Sequence, residues 1–184
     1  MDLIGLANSI NVAVTNVVAG RRGFAIRGKE QEGRISFETG IAQAISAFKE
    51  AQISADSKAI ILAEYTFLSQ ELEFCDETDK DSHSSLTQAI QSFDDAFLVL
   101  NVVEEKTLYL GAENSHPHNK KYRVRGFPKD SFHIACISHK TRLQNILRAP
   151  GIDPIEKALL KQRFANLSTA QSSYMELQKK ALEL

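Results

Sequence analysis

With 184 residues, 43% of them apolar, the chain can bury one substantial core and is too apolar to be mostly disordered. Its formal net charge of −1 gives no global attraction to nucleic acid or acidic membranes. Two cysteines, Cys75 and Cys136, exclude a disulfide framework and fit a pair of buried intracellular thiols.

The chain opens with an uncharged stretch, Leu3 to Ala19. Asp2 has the wrong sign for the start of a signal peptide, and Asn8, Ser9, Asn11, Thr15 and Asn16 make the stretch too polar and too short to span a bilayer. A cytoplasmic protein without a membrane segment is the expectation. Leu3, Leu6, Ile10, Ala13 and Val17 form a heptad-like stripe, and Gly20 is placed to end a helix. Val12, Val14, Val17 and Val18 keep a strand open as the alternative. The polar face of this segment is amide and hydroxyl rather than charge, the kind of face that a partner subunit covers.

Residues 20–35 read as a basic, glycine-rich loop or small hairpin. Gly23 to Lys29 has the spacing of a phosphate-binding loop, but Glu30 replaces the hydroxyl that would reach magnesium, and Gly33 follows within a turn. Ser36 is the expected cap of a helix reaching about Ile53, with Phe37, Ile41, Ala44, Ile45, Phe48 and Ala51 on one face. A third helix is expected from about Ser57 to Cys75 on the stripe Ile61, Tyr65, Leu68, Leu72 and Cys75. Residues 76–83 form an acidic loop. Asp76, Asp79 and Asp81 begin like a calcium loop, which lacks its central glycine and its closing glutamate. Ser85 and Gln88 form a capping box for a fourth helix with Leu86, Ile90, Phe93, Phe97 and Leu100 inward.

Residues 104–127 are expected to leave the helical pattern. Lys106 to Leu110 and Lys121 to Arg125 read as two strands joined by a turn-rich segment, a β hairpin inserted before the last helical pair. His116 and His118 at its tip fall short of the four ligands of a structural zinc site. Residues 129–183 then read as a helical hairpin. Phe132, Cys136, His139, Leu143 and Ile146 share one stripe, Ala149-Pro150-Gly151 stops the helix, and Asp153-Pro154 starts a last helix of about 30 residues.

On the first of these two helices, Ser138-His139-Lys140-Thr141-Arg142 resembles the phosphoacceptor segment of sensor histidine kinases. In that family a Ser-His pair is followed by an acidic residue, an arginine stands three after the histidine, and a second helix completes a dimerising hairpin. Ser138, His139 and Arg142 match; Lys140 replaces the acidic residue, and the proline after the arginine is absent. The resemblance implies an accessible His139 as phosphoacceptor, with no nucleotide-binding domain in the residues that remain.

The whole is one mainly α domain over 1–184, a bundle of five to six helices with a small β hairpin. No Ser-His-Asp set, carboxylate pair or metal cluster marks an enzyme, and neither a catalytic residue nor a cofactor is assigned. A self-associating interaction or assembly protein is the leading reading. Arg21, Arg22, Arg27, Lys29, Lys121, Arg123 and Arg125 are the candidate contacts to a polyanion, either an acidic protein or nucleic acid. A phosphotransfer protein using His139 is the remaining alternative.

Overall fold

Six helices follow one another, with no strand among the described residues: α1 (Leu3–Phe24), α2 (Glu30–Ser54), α3 (Ser57–Phe74), α4 (Lys80–Ala112), α5 (Ser131–Arg148) and α6 (Pro154–Glu183). This computed structural model describes residues 2–54, 57–76, 78–112 and 131–183. Helix α1 packs mainly on α2 and then on α3, while α6 touches α2, α3, α4 and α5. The core therefore lies around α6 and α3, and α1–α2 form an antiparallel hairpin on one side.

The expected loop at 20–35 is helical except for residues 25–29. Helix α1 continues to Phe24, a turn through Gly28 (φ 89°) reverses the chain, and α2 starts at Glu30 rather than Ser36. Glu30 and Glu32 in its first turn suit the positive end of the helix dipole. Most of the glycines here serve contact rather than turning. A Cβ on Gly20 would stand 2.4 Å from Phe37 N, one on Gly33 2.8 Å from Gly20 O, and one on Gly40 2.6 Å from both Ala13 O and Val17 N. The two backbones approach so closely that no side chain fits between them. Ala13, Val14, Val17, Phe37, Ile41 and Ala44 close the seam.

Helix α3 lies where its stripe predicts. Helix α4 starts five residues before Ser85, because Asp79 caps it by accepting from Ser82 N at 3.2 Å. The expected first strand, Lys106–Leu110, is instead part of α4. No Gly or Pro interrupts the chain between Lys80 and Leu110, so a helix already anchored by Leu86, Phe93 and Leu100 propagates through residues of good strand propensity. The second expected strand and the histidine pair at 116 and 118 lie outside the described residues.

The C-terminal pair agrees with the sequence reading. Helix α5 ends at Arg148, Gly151 takes φ 82°, and Pro154 opens a 30-residue α6. Asp153 caps it by accepting from Ile155 N at 3.0 Å. Glu156 does not complete a capping box; it reaches across to Arg21 instead. Helix α1 runs five residues past the uncharged stretch Leu3–Ala19, so, contrary to the expectation from that stretch, it is long and apolar enough, by length and composition alone, to cross a membrane; here seven of its residues, from Leu6 to Gly20, are buried in the bundle.

Candidate functional site: a buried ionic centre beside a polar cleft

Three ionisable residues from three helices meet inside the bundle. Glu64 of α3, His139 of α5 and Arg163 of α6 each sit on their helix's apolar stripe, at 1%, 3% and 5% exposure. Glu64 Oε1 accepts from Arg163 Nε at 2.6 Å and lies 3.0 Å from His139 Nε2. Arg163 Nη2 rests against the same oxygen without hydrogen-bond alignment. Glu64 Oε2 and His139 Nδ1 have no hydrogen-bond partner among the described residues. The guanidinium of Arg163 lies over the Phe67 ring at 4.3 Å, and the His139 ring meets Phe93 edge-on at 4.9 Å.

The protonation states follow from this geometry. Burial by itself would raise the Glu64 pKa, but the charge of Arg163 and the hydrogen bonds from His139 and Arg163 outweigh it and bring it down to about 2. Burial lowers the His139 pKa, and the nearby Arg163 and Arg142 add to that against the pull of Glu64. The centre is thus a carboxylate–guanidinium pair with a neutral imidazole, whose Nε2–H donates to Glu64 and whose Nδ1 keeps a lone pair.

A second ionic group lies alongside. Arg21 binds Glu71 at 3.0 Å and also Glu156, tying α1 to α3 and α6. Arg34 pairs with Glu38 at 2.7 Å and with Asp153, which holds the Asp153 carboxyl below its usual range. Arg142 donates from Nε to Ser85 Oγ at 3.0 Å and has no ion-pair partner among the described residues. The start of α4 at Lys80 places Ser85 a full turn inside the helix, where its hydroxyl meets α5 rather than capping.

The sequence candidates separate on this frame. Arg21 is committed to two carboxylates. Arg22 is exposed and lies over the Phe74 ring at 5.1 Å, and Arg27 and Lys29 are exposed in the α1–α2 turn beside half-exposed Phe24 and Ile26. Lys121, Arg123 and Arg125 lie outside the described residues. His139, implied as an accessible phosphoacceptor, is 3% exposed: its Nε2 faces a carboxylate and its ring packs on Phe93. Cys136 is a buried core thiol, and burial pushes its pKa up to about 12, which leaves it inert. Among the described residues no cluster of His, Cys, Asp and Glu could hold a metal ion.

Glu64 and Arg163 were not singled out from the sequence. The available signal was a charge on an apolar stripe: Glu64 lies between Ile61 and Leu68, and Arg163 between Leu160 and Leu167. Compared with family models, with curated proteins and with solved structures, the chain matches none of them.

Proposed function

We propose that the protein is a non-enzymatic assembly module that associates with a second copy of itself through the outer face of the α1–α2 hairpin. The observation that carries this reading is a double stripe of exposed, uncharged residues. On α1 it runs Ile4, Asn8, Val12, Thr15 and Ala19, and on α2 Ile35, Thr39, Ala42, Ser46 and Ile53. The α2 stripe follows a 4-3-4 spacing in which Lys49 is the one charge. Between the two helices a groove of about 410 Å³ is lined by Asn8, Val12, Gln43 and Ser46, with Glu50 as its one charge.

A second copy suits this face for two reasons. With Lys49 and Glu50 as its few charges, a two-fold contact over this face desolvates few ions. Its extent is also adequate: α1 is 22 residues long, or roughly 33 Å, and two helices side by side offer about 600 Å² per copy, near the roughly 800 Å² of a stable interface. Ile4, Val12, Ile35 and Ile53, each more than half exposed, would supply its apolar anchors. The buried centre serves this function indirectly, by fixing the helices behind the hairpin.

Light scattering at micromolar concentration tests the reading. The wild type should have twice the 20.5 kDa of one chain, and Ala42→Glu should return it to one chain with unchanged helical content by circular dichroism. A wild-type mass of one chain at high concentration would refute it.

A narrower reading concerns the hairpin tip. Arg22, Arg27 and Lys29, exposed around Phe24 and Ile26, support contact with a polyanion. Binding of short DNA or RNA that falls steeply with salt, and that weakens on reversing Arg27 and Lys29, is the expected outcome. Absence of binding at low salt would remove it.

A further inference from the structure

Between the first half of α4 and the second half of α5 lies an open cleft of about 900 Å³, a size that takes small molecules. Ser82, Ser85, Gln88, Ser138 and Asn145 give it neutral polar walls, with Leu86 and Ile146 among the apolar ones. A smaller cavity of about 70 Å³ adjoins it, and Glu71, Leu86, Arg142 and Ile146 belong to both walls. Arg142 therefore stands where the two meet.

The electrostatics single out Arg142. Of the carboxylates in the cleft wall, Glu71 is already engaged by Arg21, and Asp81 is exposed in the first turn of α4. Arg142 itself is only half-buried and lacks an ion-pair partner among the described residues. Ser85 fixes its Nε, which sets the plane of the guanidinium and leaves the Nη donors for a ligand. A planar fork of that kind matches an oxyanion. Burial and the nearby Arg163 disfavour its charged form more than Glu64 and Glu71 favour it, and an added anion would act in the same sense as those two carboxylates. A second feature marks the same wall as incomplete: His139 lines the cleft at 3% exposure, and its Nδ1, a lone-pair acceptor without a partner among the described residues, would take an N–H or O–H donor from water or from the ligand rather than the oxyanion itself. Buried polar atoms without partners are commonly satisfied by water or by a ligand.

We infer that the α4–α5 cleft is a binding site for a small molecule bearing an oxyanion, a carboxylate or a phosphate, which docks on Arg142. The site is on the opposite side of α3 and α6 from the hairpin stripe in the packing order, and it does not depend on self-association.

The experiment is an NMR titration of the full chain with inorganic phosphate and, separately, with acetate, each against sodium chloride of matched ionic strength. One or both anions should shift the amide signals of Ser85, Ser138 and Arg142 in a saturable way. Phosphate alone would assign a phosphoryl ligand, and acetate alone a carboxylate. Arg142→Gln should weaken binding by about tenfold or more, in keeping with loss of a charged bidentate contact. Ser85→Ala, which keeps the charge and releases only its orientation, should weaken it less; this variant decides the matter if Arg142→Gln does not fold. No saturable shift with either anion, or equal affinity in both variants and wild type, would overturn the inference.

Discussion

The α1–α2 hairpin and the α3–α5–α6 centre solve the same problem by opposite means. In the hairpin, helices are held by the absence of side chains: Gly20, Gly33 and Gly40 let backbone meet backbone, and the seam is otherwise filled by Ala13, Val17, Phe37 and Ile41. In the centre they are held by ions in a place where ions are costly, with Glu64, His139 and Arg163 sharing one carboxylate oxygen. The first arrangement draws on packing and has no pH dependence of its own. The second specifies one register of three helices and depends on each partner's protonation state. Polar bonds also join the regions: Asn166 Nδ2 donates to Phe48 O at 2.6 Å, Arg21 of the hairpin reaches Glu71 and Glu156, and Arg34 reaches Asp153.

The largest expected effect lies in the centre. Glu64→Ala should destabilise the fold by about 3–5 kcal/mol, because it strands Arg163 in an apolar interior. The triple variant Glu64→Leu/His139→Phe/Arg163→Met should recover most of that loss, which chemical denaturation would reveal. Additive losses across the three sites would mean that the centre contributes by favourable ion pairing rather than by specifying geometry.

In the hairpin, Gly40→Ala should cost about 1–3 kcal/mol through overpacking, against the gain of roughly 1 kcal/mol that alanine gives in an ordinary helix. Its added Cβ would meet backbone, which cannot rotate away. A raised melting temperature would show that the two helices are looser than described.

Acid should separate the regions further. His139 has a folded pKa below its ordinary 6.5, so the unfolded chain takes up the proton first, and stability falls as pH drops below about 6.5. Glu64 has a folded pKa of about 2 against an ordinary 4.5, so its contribution is full above 4.5 and is lost as pH falls through about 2. Denaturation midpoints of wild type and His139→Gln, measured from pH 7 to pH 5, should diverge in slope, with the variant flatter. Parallel slopes would mean that His139 titrates normally. Smaller still, Asp153→Ala should cost about 1 kcal/mol as a lost cap, read from the urea midpoint.

The sequence was most informative where local chemistry decides structure. Asp153-Pro154 and Gly151 determined the α5–α6 turn, and the stripe from Ile61 to Leu72 determined α3. It misled where a residue's role depends on a distant partner. The glycines of 20–35 looked like loop residues because their value lies in how near another helix comes. The segment Lys106–Leu110 looked like strand because its propensity was read without the helix already running into it. His139 was on the page from the start, but its partners stand 75 and 24 residues away, and only folding reveals that a carboxylate occupies its Nε2. Arg21 looked like one of a basic cluster, although two carboxylates from other helices claim it.

Which face meets a second copy can be read directly. In a mixed sample, half uniformly labelled with carbon-13 and half unlabelled, isotope-filtered NMR reports contacts between chains alone. The account predicts such contacts among the side chains of Ile4, Val12, Ile35, Ala42 and Ile53. A sample with no contact between chains, or with contacts confined to other exposed apolar residues such as Ile134 and Ile137 of α5, would contradict it.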